Sequence, residues 1–165
     1  MKKIIVLGAF LISTLSMNAQ EANVSLSGAL EFGQGESLTF GLNLDLNYLW
    51  EASEKFDFGL TAGYHYYFKE DYQLVPSTTI DVPDFSFLPL AAAARFNATE
   101  KLTFGADIGY ALGISPSGNN GGFYYAPKVQ FGVTPTLDIV FAYKVITFDG
   151  GGSFDVANIG LEFGF

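Results

Sequence analysis

Three stretches of this chain alternate between large apolar and small or polar side chains for thirteen or fourteen residues each, and a period of two sustained that long belongs to β-strands. In Ser37 to Trp50, the residues Leu38, Phe40, Leu42, Leu44, Leu46, Tyr48 and Trp50 alternate with Thr39, Gly41, Asn43, Asp45, Asn47 and Leu49. Phe56 to Phe68 and Leu102 to Ile114 repeat the pattern, with Asp57, Gly59, Thr61, Gly63, His65 and Tyr67 on the second phase of one, and Thr103, Gly105, Asp107, Gly109, Ala111 and Gly113 on that of the other. Each strand therefore has one greasy face and one small or polar face.

Weaker versions run through Val24 to Phe32, Phe123 to Val133, Leu137 to Phe148 and Ala157 to Phe165. Phe85 to Phe96 completes a set of eight, although Pro89 lacks a ladder donor and its alanines blur the phase, so a bulge or irregularity is expected there. Pro127 raises the same expectation more mildly. The connections Glu51 to Lys55, Asn97 to Lys101 and Thr134 to Thr136 are short, whereas Lys69 to Asp84 and Ser115 to Gly122 are longer, and a Gly-rich Asp149 to Ser153 follows the seventh strand. Gly33 to Glu36 is short and breaks that rule. An even number of antiparallel strands, with short turns at one end and mostly longer loops at the other, is the layout of an up-and-down barrel with both termini at the short-turn end.

The first nineteen residues are expected to be an export signal: Lys2 and Lys3 precede the apolar run Ile4 to Leu15, and Ala19 supplies a small residue before a cleavage point. That run is too short for the roughly 20 residues of a membrane helix. The remainder, 20–165, fits one domain. There is no cysteine, which excludes disulfides, thiolate metal sites and a lipidated anchor. With Lys2 and Lys3 removed from the eight basic residues, six face 17 acidic ones and the net charge of 20–165 is −11, the wrong sign for a nucleic-acid partner. The chain also holds 17 Phe, 9 Tyr and 19 Gly, and no helix-length apolar stretch follows the signal. A membrane protein of that description has to be a closed barrel, because only helices and closed barrels satisfy all their backbone groups in lipid.

Volume decides which face looks outward. A lipocalin-like barrel would put the greasy phase inside, but the interior of eight strands is only just wide enough to be filled by side chains, and this phase is far too large for it. The expected fold is an all-β, eight-stranded antiparallel transmembrane up-and-down β-barrel, with Leu44, Leu60 and Ile108 toward lipid and aromatic girdles that include Tyr48, Trp50, Phe56, Phe58, Tyr66 and Phe68. On this reading Leu44→Arg is costly and Asn43→Lys, one residue away, costs much less. The inward phase carries a lumen charge network of Glu31, Asp45, Asp57, His65, Arg95, Asp107, Lys128, Lys144 and Glu162. Acids outnumber cations in that set, which admits either an internal ion-pair plug or a narrow cation-preferring water path.

Three segments carry a resemblance: Met17-Asn18-Ala19-Gln20, the strand Leu88-Pro89-Leu90-Ala91-Ala92-Ala93-Ala94-Arg95-Phe96, and the close Ile159-Gly160-Leu161-Glu162-Phe163-Gly164-Phe165. They resemble the small outer-membrane β-barrel (porin-like) proteins of Bacteroidetes type. The resemblance implies an outer-membrane location among lipid and lipopolysaccharide. It also implies that Ile159, Leu161, Phe163 and Phe165 form an assembly signal read by the barrel-assembly machinery.

No catalytic residues, cofactor or metal site are expected. His65 is the only histidine, it falls on the inward phase, and no serine is placed beside it, which suits a lumen network better than a catalytic base. The Lys69 to Asp84 loop, with Glu70, Asp71, Tyr72, Asp81 and Asp84, is a candidate binding loop for an unknown extracellular ligand. Ser117 to Gly122 reads as a flexible tip. Three functions remain: a non-enzymatic structural or surface-interaction barrel acting through its loops, a narrow cation-preferring porin, and, third, a lipid A-modifying enzyme.

Overall fold

The computed structural model describes residues 20–31, 40–68, 72–75, 78–80 and 83–165. The expected export segment 1–19 and the short connection placed at 33–36 lie outside them. Ten strands follow one another: β1 Gln20–Glu31, β2 Phe40–Ser53, β3 Phe56–Phe68, β4 Tyr72–Val75, β5 Thr78–Ile80, β6 Phe85–Asn97, β7 Leu102–Ser115, β8 Gly122–Thr134, β9 Leu137–Phe148 and β10 Ser153–Gly164. Eight of them close into a barrel in the order β1-β10-β9-β8-β7-β6-β3-β2, every pair antiparallel, and β4 and β5 form a separate hairpin within the β3–β6 connection. Closure by β1 against β10 leaves no sheet edge, as lipid requires.

Burial follows the period of two. Leu44, Leu60 and Ile108 are 45, 58 and 54% exposed, whereas Asn43, Asp45, Thr61 and Asp107 on the other phase are buried. The outward belt ends in aromatic contacts at both rims. Trp50 packs against Tyr48 and Phe58 at the short-turn end, with centroids 5.0 and 6.0 Å away, and Phe68 packs against Tyr66 and Phe40 at the loop end, at 4.9 and 6.2 Å.

Several strand limits differ from the sequence reading. β1 starts at Gln20 rather than Val24, because the backbone ladder with β2 continues through Gln20↔Trp50, and Phe165 N donates to Ala22 O at 3.0 Å. β10 starts at Ser153 rather than Ala157. The Gly-rich connection is a tight turn in which Gly151 and Gly152 take φ of 90 and 88°, so Ser153 is already opposite Thr147. The β3–β6 connection contains the β4–β5 hairpin where a loop was expected.

Both prolines act on one ladder each. An antiparallel residue offers its N–H to one neighbour, so Pro89 leaves β6 continuous with β7 but interrupts pairing with β3 between Ala62↔Leu90 and His65↔Phe87. Pro127 pairs with Ala106 of β7 and interrupts the β9 side in the same way. The irregularity expected at Pro89 is thus on the β3 side, and a register shift against β7 accompanies it between Ser86 and Phe87.

Within the tip 117–122, Asn119 makes specific hydrogen bonds. Asn119 donates from Nδ2 to Ser115 O at 2.8 Å and accepts from Gly121 N at 3.1 Å. It sits over Gly113, where a Cβ would lie 2.1 Å from Asn119 O.

Candidate functional site

The lumen is built from the inward residues of all eight barrel strands, and along β3 the side chains Tyr67, His65, Thr61 and Asp57 mark successive levels from the loop end to the short-turn end. Tyr67 belongs to an apolar layer. It packs edge-on against Phe154 at 4.7 Å and Phe87 at 6.2 Å, with Phe85 and Phe148 beside them and Ile146 and Val156 in the same cluster. This layer was not read from the sequence, where the inward phase was taken as small or polar. Phe87, Ile146, Phe154 and Val156 do stand on the inward phase of their strands, which was the available signal.

Below it lies the first ionic group. Lys144 Nζ on β9 donates to Asp45 Oδ2 on β2 at 2.6 Å, and His65 Nε2 lies 2.8 Å from Asp45 Oδ1 and 3.1 Å from Lys144 Nζ. The imidazole is held between the rings of Tyr67 and Tyr124. Gly63 makes room for this group: it is the β3 residue opposite Asp45, and a Cβ there would sit 2.3 Å from Asp45 Oδ1.

The second ionic group lies across the lumen. Arg95 Nη1 donates to Asp107 Oδ1 at 2.7 Å, and Lys128 Nζ lies 2.5 Å from Asp107 Oδ2. Arg95, Gly105 and Lys128 are in register on three adjacent strands, and a Cβ on Gly105 would meet Arg95 Cδ at 2.7 Å and Lys128 Cγ at 2.9 Å. The glycine lets two long side chains converge from either side on Asp107, two residues along the same strand. Gly63 and Gly105 were not singled out from the sequence, although each stands on the inward phase near a charge.

Glu162 is buried among amides. Asn47 Nδ2 donates to its Oε2 at 2.8 Å and Gln130 Nε2 to its Oε1 at 2.7 Å, while Thr61 Oγ1 donates to Asn47 Oδ1 at 2.7 Å. Asn43 Nδ2 donates to Asn158 Oδ1 higher in the same wall. Asp57 is half-buried at the short-turn mouth, where it accepts from Asn97 Nδ2 at 2.8 Å, and Glu31 is half-buried at the loop end of β1. The excess of acids expected inside therefore resolves by depth. Among the described residues, three carboxylates, Asp45, Asp107 and Glu162, share the buried lumen with three cations, Arg95, Lys128 and Lys144. The remaining acids lie toward the ends, where water can solvate them.

Of the candidate loop residues, Glu70, Asp71 and Asp81 lie outside the described residues, and of Tyr72 only its place in β4 is described. Asp84 is half-buried, and its Oδ2 accepts from Tyr66 OH at 2.5 Å on the outer wall.

An eight-stranded closed antiparallel barrel is also what structural comparison finds. The Yersinia pestis outer membrane protein Ail in a phospholipid bilayer nanodisc superposes with a TM-score of 0.60 at 18% identity, covering 88% of this chain and 99% of Ail. The fold is that of a transmembrane outer-membrane β-barrel. Crystalline Ail, the attachment invasion locus protein, in complex with the heparin analogue sucrose octasulfate gives 0.50 at 17% identity, covering 88% of this chain and 96% of that one. The N-terminal β-barrel domain of Pseudomonas aeruginosa OprF gives 0.51 at 13%, covering 88% and 97%. At these identities the likeness concerns the barrel alone. No protein-family model and no curated protein matches the sequence.

Proposed function

We propose that this chain is a non-enzymatic barrel of the bacterial outer membrane, acting on surface partners through the loops at one end of a closed lumen. The observation that carries the reading is the filling of that lumen: Arg95, Tyr67, Tyr124, Phe87 and His65 all point inward and are fully buried. Side chains of that volume fill an eight-stranded interior, which supports a plugged lumen over an open one. The balance of three buried carboxylates and three buried cations also removes the basis for cation preference. His65 is engaged with Asp45 and Lys144 beneath the aromatic layer, away from lipid and loops, which speaks against a lipid A-modifying site.

Export by residues 1–19 and recognition of Ile159, Leu161, Phe163 and Phe165 by the barrel-assembly machinery belong to the same reading. So does the Bacteroidetes-type resemblance, which rests on the quoted segments. The chain order places Glu31, Glu36, Glu70, Asp71, Asp81, Asp84, Asp149 and Asp155 in the connections or strand ends of the loop end, against Lys69 as the one basic residue there outside the lumen. Connections of that charge suit a cationic partner, or lipopolysaccharide phosphates bridged by divalent cations, rather than a polyanion of the kind bound to Ail.

The test is conductance of the refolded protein in a planar bilayer under potassium and chloride gradients. Folded protein that stays silent is the expected result. Steady cation-selective steps abolished by Glu162→Gln or Asp107→Asn would replace this reading with the small porin.

A further inference from the structure

The barrel is closed by β1 against β10, the two strands farthest apart in sequence, and the polar side chains of the lumen are not spread evenly with respect to that seam. Between its two ends, where Glu21 and Glu31 share the same phase, β1 turns Asn23, Ser25, Ser27 and Ala29 inward, all short and buried. Its neighbours on either side, β2 and β10, carry longer amides and acids that meet over the top of it. Asn43, opposite Ser27, bonds to Asn158, opposite Ala29. Asn47, opposite Asn23, bonds to Glu162, opposite Ser25. Lys144 extends the reach from β9 across both β10 and β1 to Asp45.

We propose that these contacts are a latch on the closing seam: Asn43–Asn158, Asn47–Glu162 and Asp45–Lys144 hold β2 to β10 and β9 over β1, so that β1 cannot peel from β10 without breaking buried polar bonds that its own ladder does not contain. Backbone pairing alone would leave the seam equivalent to the other seven strand junctions. Opening it exposes one ladder, whereas the latch makes the same opening also break one amide–amide, one amide–carboxylate and one ammonium–carboxylate bond in a low-dielectric interior, which makes it the more costly event. The seam shares the close approach that glycines give at other junctions, such as Gly59 against Tyr48 and Gly109 against Leu90. Gly160 lies against Ser27 of β1, where a Cβ would come within 2.4 Å of Ser27 Cβ and 2.3 Å of Leu26 O, so β1 sits near enough for short side chains to pass beneath the bridging amides. The latch also gives β1 a reason to be the strand with small polar inward residues, since any larger group there would separate Asn43 from Asn158.

Hydrogen–deuterium exchange of the refolded protein in detergent micelles, read strand by strand, tests this. Asn43→Ala/Asn158→Ala is expected to raise exchange of β1 and β10 amides about tenfold or more while β6 and β7 change less than twofold. Thr103→Val, which removes the bond from Thr103 Oγ1 to Asn97 Oδ1 between the ordinary neighbours β7 and β6 and touches no member of the latch, is the control and should leave the seam as it was. Should the double variant fail to refold, Asn158→Ser gives the same readout with a smaller rise. An equal rise in all strands, or β1 and β10 no faster than β6 and β7, would overturn the latch.

Discussion

Lys144 reaches Asp45 across two intervening strands, with 2.6 Å between Nζ and Oδ2 and both side chains nearly inaccessible to water. Removing one member of a buried pair leaves the other charged without a partner, and that loss exceeds what the pair contributes as a pair. Asp45→Asn is expected to destabilise the barrel by about 3–5 kcal/mol, and Asp45→Asn/Lys144→Met to recover more than half of it. Urea unfolding of the four proteins of this cycle in lipid vesicles gives the coupling; additive losses would show that the two groups act independently.

The outward phase sets a second expectation. Leu44→Arg, near the middle of β2, should cost about 2–4 kcal/mol in the bilayer, and Val133→Arg, next to the short-turn end of β8, about 0–1. Asn43→Lys, read from alternation as mild, is not so in the folded protein: Asn43 is fully buried against Asn158, and a longer cation has no room and no carboxylate of its own. It should be at least as costly as Leu44→Arg. Unfolding free energies in vesicles decide both comparisons.

Gly63→Ala and Gly105→Ala place a methyl where Asp45 Oδ1 and the stems of Arg95 and Lys128 already are. A loss of roughly 1–3 kcal/mol is expected from overpacking at each. Gly150→Ala, with nothing within 4 Å of the added atom, is the control and should fall within about 0.5 kcal/mol of the parent. The temperature at which the folded band disappears from unheated gels reports all three.

Phe154→Ala removes the centre of the aromatic layer and should cost about 3–5 kcal/mol, as core truncations of that size do. It should not create a channel, because both ionic groups beneath it remain in place. Conductance from a folded Phe154→Ala barrel would locate the seal in the aromatic layer alone.

The alternation of Leu38 to Trp50, Phe56 to Phe68 and Leu102 to Ile114, with its weaker repeats in five further stretches and the lengths of the connections between them, was enough to give eight barrel strands, their antiparallel order and the outward direction of Leu44, Leu60 and Ile108. A repeating local pattern of that kind survives any choice of register that keeps its parity. Strand ends were less legible. At Gln20 and Ser153 they are set by backbone bonds to residues remote in sequence and by the left-handed glycines of a turn, neither of which depends on hydropathy.

What the sequence by itself determined, then, is which residues face inward, because parity is a property of one strand. Which inward residues meet was decided by the tertiary structure. Closing the barrel fixes eight registers at once, and only those registers bring Asn43 to Asn158, Glu162 to Asn47 and Lys144 to Asp45, or lay Arg95 and Lys128 over Gly105. The same closure separated the acids by depth, leaving three balanced by three cations in the buried interior and the others at the ends in reach of water. A count of inward acids cannot make that distinction, because the cost of a charge depends on how far it lies from solvent.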